Sequence, residues 1–344
     1  MTNPWVGNRP MSHSIVLNCT DPHVLQQVLP QTGFRMTVTA RGLFKSSLAH
    51  ITMSRLRVIR GAVSLPTVTY SATDKDQSLI FIHCNPEQAP IMHSGREVAP
   101  NEIVWYPLGS DHHYRTSTNY HIGNVGMPSA DLAEYGEMFA DRKLIAPQSI
   151  RVLRPSPSLL SRLLNLHKAV GHLAINTPDI LVHPEVLRTL EHALVRATIR
   201  CLIDLDTRDR RDSARLRLPV MRRFEQMLEE HPDGPLHVMD ICAGIGVTER
   251  TLRLHCQEQL GMAPHLYLWL RRMNLVRRAL AFAEPTANTV TTIANDYGFP
   301  ELGRFAVSYR KLFGESPSVT LRRPPGSSLI LDKPAEQFRD LHHG

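Results

Sequence analysis

Cysteine is scarce in this chain of 344 residues, and no two cysteines form a C-x-x-C pair. An odd number scattered along the chain argues against a disulfide framework or a zinc finger and indicates a reducing compartment. No apolar run reaches the roughly 18 residues of a transmembrane helix, and the opening MTNPWVGNRPMSHS lacks the apolar core of a secretion signal. We therefore expect a cytoplasmic protein that does not enter a membrane. The five cysteines are Cys19, Cys84, Cys201, Cys242 and Cys256.

Motifs that mark enzymes are missing as well. No glycine loop that cradles phosphates, and no spacing of a nucleophile and its base, is recognisable. We therefore predict no catalytic residues, no cofactor and no enzymatic activity. The length and a hydrophobic content of 42% suffice for two or three domains with real cores. A net charge of +7 favours a polyanionic partner, although charge alone is a weak indicator.

The stretch 289–323 predicts two helices separated by a tight turn. Threonines begin the first helix, at about 289–296, and Gly298 ends it, because glycine readily adopts the positive φ of a helix end. The second helix begins near Pro300 and stops at Gly314. Helix, glycine turn and helix is the geometry that places one helix in a DNA major groove, although ordinary helical hairpins share the pattern.

A related unit lies about fifty residues upstream. Its first helix, near 238–243, meets a turn that contains Gly244 and Gly246. Thr248 caps its second helix, which ends at Leu260-Gly261. A helix of about twenty residues, beginning at Pro264, joins the two units.

The doubled arrangement resembles the DNA-binding domain of the AraC/XylS family of bacterial transcription regulators over residues 219–323. The motifs that carry the resemblance are IANDYGF followed by RFAVSYRKLFGESPS, and GVTERTL followed by QEQLGMAP. The resemblance implies two helix-turn-helix units that enter successive major-groove segments of double-stranded promoter DNA. It also implies a homodimer, contact with RNA polymerase, and activation as the commoner mode of control.

The sequence pattern changes over residues of about 35–125, which contain short β-branched runs separated by Gly, Pro, Asn and Asp. This pattern is typical of an all-β barrel or sandwich. Within them, MHSGREVAPNEIVWYPLGSDHHYRTS resembles a cupin-like jelly roll, the sensor half of many AraC/XylS regulators. The predicted fold class is α+β with two domains. An N-terminal cupin-like β-barrel with helices precedes a C-terminal all-α domain of two helix-turn-helix units joined by a long helix.

Histidines of this region raise the question of a metal site, because enzymatic cupins bind their metal through histidines and a carboxylate. No H-x-H followed by a spaced glutamate occurs, and adjacent His112 and His113 would point to opposite faces of a strand. We therefore predict no metal and assign the histidines structural roles. They are His83, His93, His112, His113 and His121.

A small-molecule effector is the predicted occupant of the β domain. Aromatic side chains with polar tips suit a largely apolar pocket with a few orienting groups, although core packing is the commoner role for each of them. The candidate effector-binding residues are Tyr70, Phe81, His83, Trp105, Tyr106 and Tyr114.

The predicted domain organisation has five parts. Residues 1–155 form the cupin-like sensing domain, with a loose lead-in at about 1–20. Residues 156–205 form a helical segment that either packs on the barrel or makes a dimer contact. Residues 206–218 are an exposed charged linker, 219–323 the DNA-binding domain and 324–344 a largely disordered tail.

In the first unit, the resemblance makes the helix after Thr248 the recognition helix. Arginine can donate two parallel hydrogen bonds to guanine and glutamine can read adenine, although phosphate contact or solvation is as reasonable for the arginines. The family commonly has arginine where Leu254 stands and a large apolar residue where Cys256 stands, so its contact pattern does not carry over whole. The predicted base-reading residues are Glu249, Arg250, Arg253 and Gln257.

The second recognition helix has fewer groups that can read bases. Its predicted groove-facing residues are Leu302, Gly303, Arg304 and Val307, and only Arg304 has a long donor side chain. We therefore expect this unit to discriminate bases less and to position the protein through phosphates and groove shape. The predicted phosphate contacts are Thr248, Arg271, Arg272, Arg277, Arg278, Arg310, Lys311 and Arg322.

These features predict a sequence-specific transcription regulator controlled by an effector in its N-terminal domain. Effector binding would shift the population of arrangements of the two halves or of the dimer. The alternatives are a cupin-type enzyme with an appended DNA-binding domain and an architectural DNA-binding protein without an effector.

Overall fold

The computed structural model describes residues 13–29, 34–204, 218–231, 236–323 and 329–330. Its N-terminal part contains two antiparallel β-sheets, and its C-terminal part is helical, which confirms the predicted α+β class. The strands are β1 (His13–Cys19), β2 (Arg35–Val38), β3 (Ser46–Thr52), β4 (Arg57–Val63), β5 (Thr67–Ala72), β6 (Gln77–His83), β7 (Ile91–His93), β8 (Arg96–Val98), β9 (Ile103–Trp105), β10 (Asp111–Arg115), β11 (Tyr120–Pro128), β12 (Arg151–Leu153) and β13 (Leu329–Ile330).

The strands form a large sheet and a small sheet. The large sheet has the order β12-β9-β6-β11-β4-β3-β1-β13, and the small sheet has the order β2-β5-β10-β7-β8. Strand residues alternate between two faces, as the pleat requires. Phe81 and Val104 of the large sheet join the core between the sheets, whereas their neighbours Ile80 and Trp105 join a core on the opposite face.

Three long helices cover that opposite face of the large sheet. They are α2 (Ser129–Ala140), α3 (Pro157–Asn176) and α4 (Pro184–Ile203), with a short 3-10 helix (Pro178–Val182) between the last two. Leu163 and Leu194 are fully buried between these helices and the sheet. A shorter helix, α1 (Pro22–Val28), lies between β1 and β2 and is capped by the carboxylate of Asp21.

The C-terminal helices are α5 (Leu218–Glu230), α6 (Val238–Ile245), α7 (Glu249–Leu260), α8 (Pro264–Phe282), α9 (Val290–Asp296), α10 (Leu302–Phe313) and α11 (Pro317–Leu321). They build two cores that share one helix. Tyr267 and Leu268 of α8 pack with α5, α6 and α7, whereas Leu270 and Met273 pack with α9, α10 and α11. The connecting helix therefore ties the two helix-turn-helix units into one body.

Local signals placed most ends of these helices correctly. The exception is Gly244, which was predicted in the turn but lies inside α6. Gly246, Gly261, Gly298 and Gly314 all adopt the positive φ predicted for helix ends. No helix in the part of the chain that the structure describes is long and apolar enough to cross a membrane.

Two predicted irregular regions contain strands. Residues 13–19 of the predicted loose lead-in form β1, which pairs along its length with β3. Residues 329–330 of the predicted disordered tail pair with β1 at Asn18 and Cys19. Both predictions were wrong at these residues because pairing with a distant strand leaves no local signal. The rest of the tail, and residues 206–217 of the predicted linker, lie outside the described residues.

The outer face of the small sheet packs against the C-terminal helices. Val68 of β5 belongs to the core of the first helix-turn-helix unit. At the end of α7, Gly261 lies directly under the guanidinium of Arg115 on β10, so a Cβ atom there would collide with it. We call this contact surface, between the small sheet with α1 and the helices α5, α7 and α8, the domain seam.

Candidate nucleic-acid interface and ligand cavity

The first candidate recognition helix, α7, presents a polar face to solvent. The hydroxyl of Thr248 accepts a hydrogen bond from the Thr251 N–H at 3.2 Å and caps the helix. Leu252 and Cys256 are fully buried, which fixes the rotation of the helix about its axis. That rotation leaves the predicted base-reading residues exposed on one side, together with Leu254: Glu249, Arg250, Arg253 and Gln257.

Two of these exposed side chains contact each other. A carboxylate oxygen of Glu249 lies 3.0 Å from Nη2 of Arg253, an i,i+4 pair in which both side chains are more than half exposed. Such a pair contributes only about 0.3–0.5 kcal/mol, so a base edge can replace Glu249 as the partner of Arg253 at little cost. Leu254 is 57% exposed and adds an apolar surface that could contact a thymine methyl group.

The second candidate recognition helix, α10, exposes a smaller set of side chains. Arg304 is exposed and pairs with Glu301 at 3.0 Å. Val307 is 55% exposed, and a Cβ atom on Gly303 would meet no neighbour within 4 Å. Leu302 is half-buried against the core of the second unit. The exposed surface at the start of this helix is therefore small and has one cation, Arg304.

The predicted phosphate-binding residues occupy different environments. Five are exposed: Thr248, Arg278, Arg310, Lys311 and Arg322. Arg271 is half-buried and donates to the Leu228 carbonyl oxygen at 2.7 Å. Arg272 lies over the Phe299 ring at 5.2 Å, and burial lowers the pKa of its guanidinium. The five exposed residues therefore remain the better candidates for contacts with DNA phosphates.

The structure places Arg277 away from any surface that DNA can reach. It is 4% exposed and donates to the carbonyl oxygen of Thr20 at 3.4 Å. Its guanidinium also stacks on Phe313 at 4.8 Å and lies 3.9 Å from Glu315. The sequence prediction of a phosphate contact is therefore corrected for Arg277, which joins α8 to the N-terminal domain and to the second unit.

A cavity lies between the two sheets, where an effector was expected, and we call it the barrel cavity. Its water-accessible volume is about 30 Å³, room for about two water molecules. Three predicted effector-binding residues, Phe81, Tyr106 and Tyr114, line it. Leu25 and Leu29, at the two ends of one turn of α1, form part of its wall.

The other three predicted effector-binding residues do not line the cavity. Trp105 follows the strand alternation to the opposite face of the large sheet, in the core with α3 and α4. Tyr70 points outward from the small sheet and lies under Arg35 at 4.4 Å, in the domain seam. His83 shares the inner face with Phe81, but its Nδ1 contacts Gln88 at 2.7 Å beyond the cavity. These positions correct the prediction for all three.

The histidines near the cavity are held in separate contacts. His93 Nδ1 lies 2.9 Å from the Tyr106 hydroxyl, and His112 stacks on the Tyr106 ring at 4.1 Å. His113, the next residue of β10, points out of the barrel towards α5, as strand alternation predicts. Within the described residues, no group of three or more His, Cys, Asp or Glu side chains is arranged to hold a metal ion.

Comparison with known proteins finds relatives of the C-terminal helices. A family model described as a helix-turn-helix domain matches residues 241–323. The chain is 32% identical over 163 residues to the probable thc operon regulatory protein of Rhodococcus erythropolis, which covers 47% of this chain and 49% of that protein. It is 33% identical over 103 residues to XylDLEGF operon transcriptional activator 2 of Pseudomonas putida. That match covers 30% of this chain and 66% of that protein.

Residues 241–323 are an AraC/XylS-type helix-turn-helix domain. The chain spans about half the length of the first of these relatives. Among solved structures it is similar to the AraC-like transcriptional activator CuxR, at 16% identity and a TM-score of 0.34, over 67% of this chain and 80% of that one.

The domain seam contains a buried charged cluster. Glu225 of α5 has a side chain only 1% exposed and accepts from Arg35 Nη2 and His113 Nε2, each at 2.8 Å. The Tyr267 hydroxyl lies 3.5 Å from the same carboxylate. Burial by itself raises the pKa of Glu225, but the His113 and Arg35 interactions outweigh it and hold the pKa below its ordinary 4.5. Arg35 and Glu225 did not stand out in the sequence, and His113 was assigned only a structural role.

The seam also contains a larger cavity, the seam cavity, with a volume of about 240 Å³. Its walls come from both domains, with His23 and Arg35 on one side and Arg271 and Arg278 of α8 on the other. Gln259 of α7 adds a further link across the seam, donating to the carbonyl oxygen of Ser94 at 3.1 Å. The N-terminal domain therefore contacts the first candidate recognition helix and the connecting helix directly.

Proposed function

We propose that this protein is a sequence-specific, DNA-binding transcription regulator whose DNA affinity depends on a small effector in its N-terminal domain. The observation that carries the proposal is the pair of helices α7 and α10, each packed on one face and exposed on the other. Helices held in this way on a shared connecting helix can enter successive major-groove segments, about 34 Å apart. The relatives named above are regulatory proteins, and we assign no catalytic role.

The two recognition helices have unequal roles in this proposal. Arg250, Arg253 and Gln257 of α7 supply three long polar side chains, whereas α10 supplies Arg304 alone. Direct base reading therefore belongs mainly to the first unit. Arg310 and Lys311, at the exposed end of α10, contact phosphates and orient the second unit.

Effector control passes through elements that touch both the barrel cavity and the C-terminal helices. Helix α1 is one of them, because Leu25 lines the cavity while His23 contacts the Phe282 ring of α8 at 5.3 Å. Strand β10 is another, because His112 lines the cavity while His113 binds Glu225. A ligand that moves either element changes the relative stability of the docked and undocked arrangements.

Selection of bound fragments from random genomic DNA by the purified full-length chain, at a stated salt concentration, tests the proposal. We expect a motif with two informative blocks about one helical turn apart, the more informative one assigned to α7. The variant Arg253→Ala should lose information in that block, and Arg304→Ala, the matched change on α10, should leave it intact. Recovery of DNA without any motif, with or without cell extract as a source of effector, would contradict the proposal.

A further inference from the structure

The barrel cavity carries no charge on its walls. Among the described residues that line it, none is Asp, Glu, Lys or Arg. Burial and the neighbouring His113 lower the pKa of His112 to about 3, so its imidazole is neutral at physiological pH. Burial raises the pKa of the Tyr106 and Tyr114 hydroxyls, so both stay protonated. A charged guest would find no counter-charge in this cavity.

Two polar atoms of the wall lack a partner within the protein. His112 is 3% exposed, and its Nδ1 has no partner in hydrogen-bonding geometry, although the Ser110 backbone interacts with the imidazole. The Oδ1 atom of Asn124, a second lining residue, is also buried without a partner. Buried polar atoms are rarely left unsatisfied, because each unmade hydrogen bond costs free energy. A ligand with hydrogen-bonding groups would therefore gain the most binding free energy at these two atoms.

The rest of the wall is mostly apolar, apart from Ser46, Ser47 and Ser71, and it includes the short helix α1. Phe81 and Ile122 come from the large sheet, which is paired on both sides at these residues. Leu25 comes from α1, a helix of seven residues. Enlarging the cavity therefore costs least on the α1 side, which is also the side that contacts α8.

We propose that the barrel cavity binds an uncharged, largely apolar small molecule whose single polar group hydrogen-bonds to His112 Nδ1. This inference rests on the proposed function, because it names the chemical class of the effector. The ligand takes the space of the two water molecules and of the Leu25 side chain, and displaces α1 outward. Anions are rejected because the barrel offers them no cation, whereas the seam cavity does.

Binding of isosteric pairs to the full-length chain tests this selectivity. Each pair has one shape and differs in charge: propanamide and propanoate, benzamide and benzoate, 1-naphthamide and 1-naphthoate, measured by titration calorimetry at pH 7.5. We expect at least one amide to bind about ten-fold or more tightly than its carboxylate. Equal or tighter binding of the carboxylates that persists in Arg278→Ala, a change in the cation-lined seam cavity, would overturn the proposal, as would no binding by any amide.

A matched substitution locates the site. His112→Phe keeps an aromatic ring against Tyr106 and removes both ring nitrogens, with a slightly larger ring in their place. We expect it to weaken binding of the best amide about five-fold while leaving toluene, which has no polar group, unchanged. An amide affinity that His112→Phe does not change, or a loss shared by toluene, would refute the assignment. DNA selection is measured separately, so a failure of the regulator proposal is distinguishable from a failure of the ligand class.

Discussion

Glu225→Gln is the most direct test of how the two domains are held together. The substitution keeps the size of the side chain and removes the charge that Arg35 and His113 contact at 2.8 Å. Breaking a buried ion pair by removing one charge typically costs about 3–5 kcal/mol. The Arg35 side chain is 25% exposed and keeps Glu229 as a partner, so part of its charge stays solvated. We therefore expect a loss of about 2–3 kcal/mol in the free energy of unfolding.

The chain supplies its own control for this measurement. Glu229 pairs with the same guanidinium, but its side chain is 46% exposed. Glu229→Gln should therefore cost no more than about 1 kcal/mol. Urea unfolding of the full-length chain, followed by circular dichroism, gives both values from the midpoint and slope. If Glu225→Gln were no more destabilising than Glu229→Gln, the buried cluster would not be what couples the domains.

The same cluster predicts a dependence of stability on pH. Because the folded-state pKa of Glu225 lies below its ordinary 4.5, folding favours the carboxylate. Its contribution to stability is therefore complete above pH 4.5 and is lost as pH falls through the lower folded-state pKa. The wild-type chain should lose more unfolding free energy across that acid range than Glu225→Gln does. Parallel pH profiles of the two proteins would contradict this assignment.

Three further predictions concern the C-terminal helices. Arg253→Ala should reduce discrimination at one or two base pairs by about 1–3 kcal/mol, and an unchanged selection profile would remove Arg253 from base reading. Arg310→Ala should reduce the slope of log affinity against log salt by about one. Arg277→Ala, which changes a buried residue, should keep that slope and lower the unfolding free energy by about 1–3 kcal/mol. A reduced salt slope with unchanged stability in Arg277→Ala would restore Arg277 as a phosphate contact. Thr248→Ala removes the cap on the Thr251 N–H and should cost about 1 kcal/mol in thermal or urea unfolding, unless water replaces the hydroxyl without loss.

Much of the C-terminal half could be predicted because its signals are local. A threonine cap, a glycine at positive φ and a 3.6-residue apolar period each depend on a few neighbouring residues. The helix predicted from Thr248 to Leu260 is observed as Glu249–Leu260 with Thr248 as its cap. The burial of Leu252 then determines which side chains are exposed, so the groove-facing candidates of α7 also followed from the pattern.

Only three of the six predicted effector-binding residues line the barrel cavity, and the reason is again physical. Strand alternation states that Trp105 and Tyr106 face opposite ways, but it does not say which face is the inside of the barrel. The packing of α3 and α4 on one face of the large sheet decides this, and it places Trp105 outside and Tyr106 inside. Nothing local to either residue records that choice.

The sequence by itself determined two capped helix pairs, the helix that joins them and the β texture of the N-terminal half. Only the tertiary structure decided that Glu225 meets His113, that Arg277 turns inward to Thr20, and that α1 separates the barrel from α8. Helix caps and apolar periods act over a few residues, so the sequence displays them directly. Contacts across the seam join residues more than a hundred positions apart, and they exist only once both domains have folded and docked.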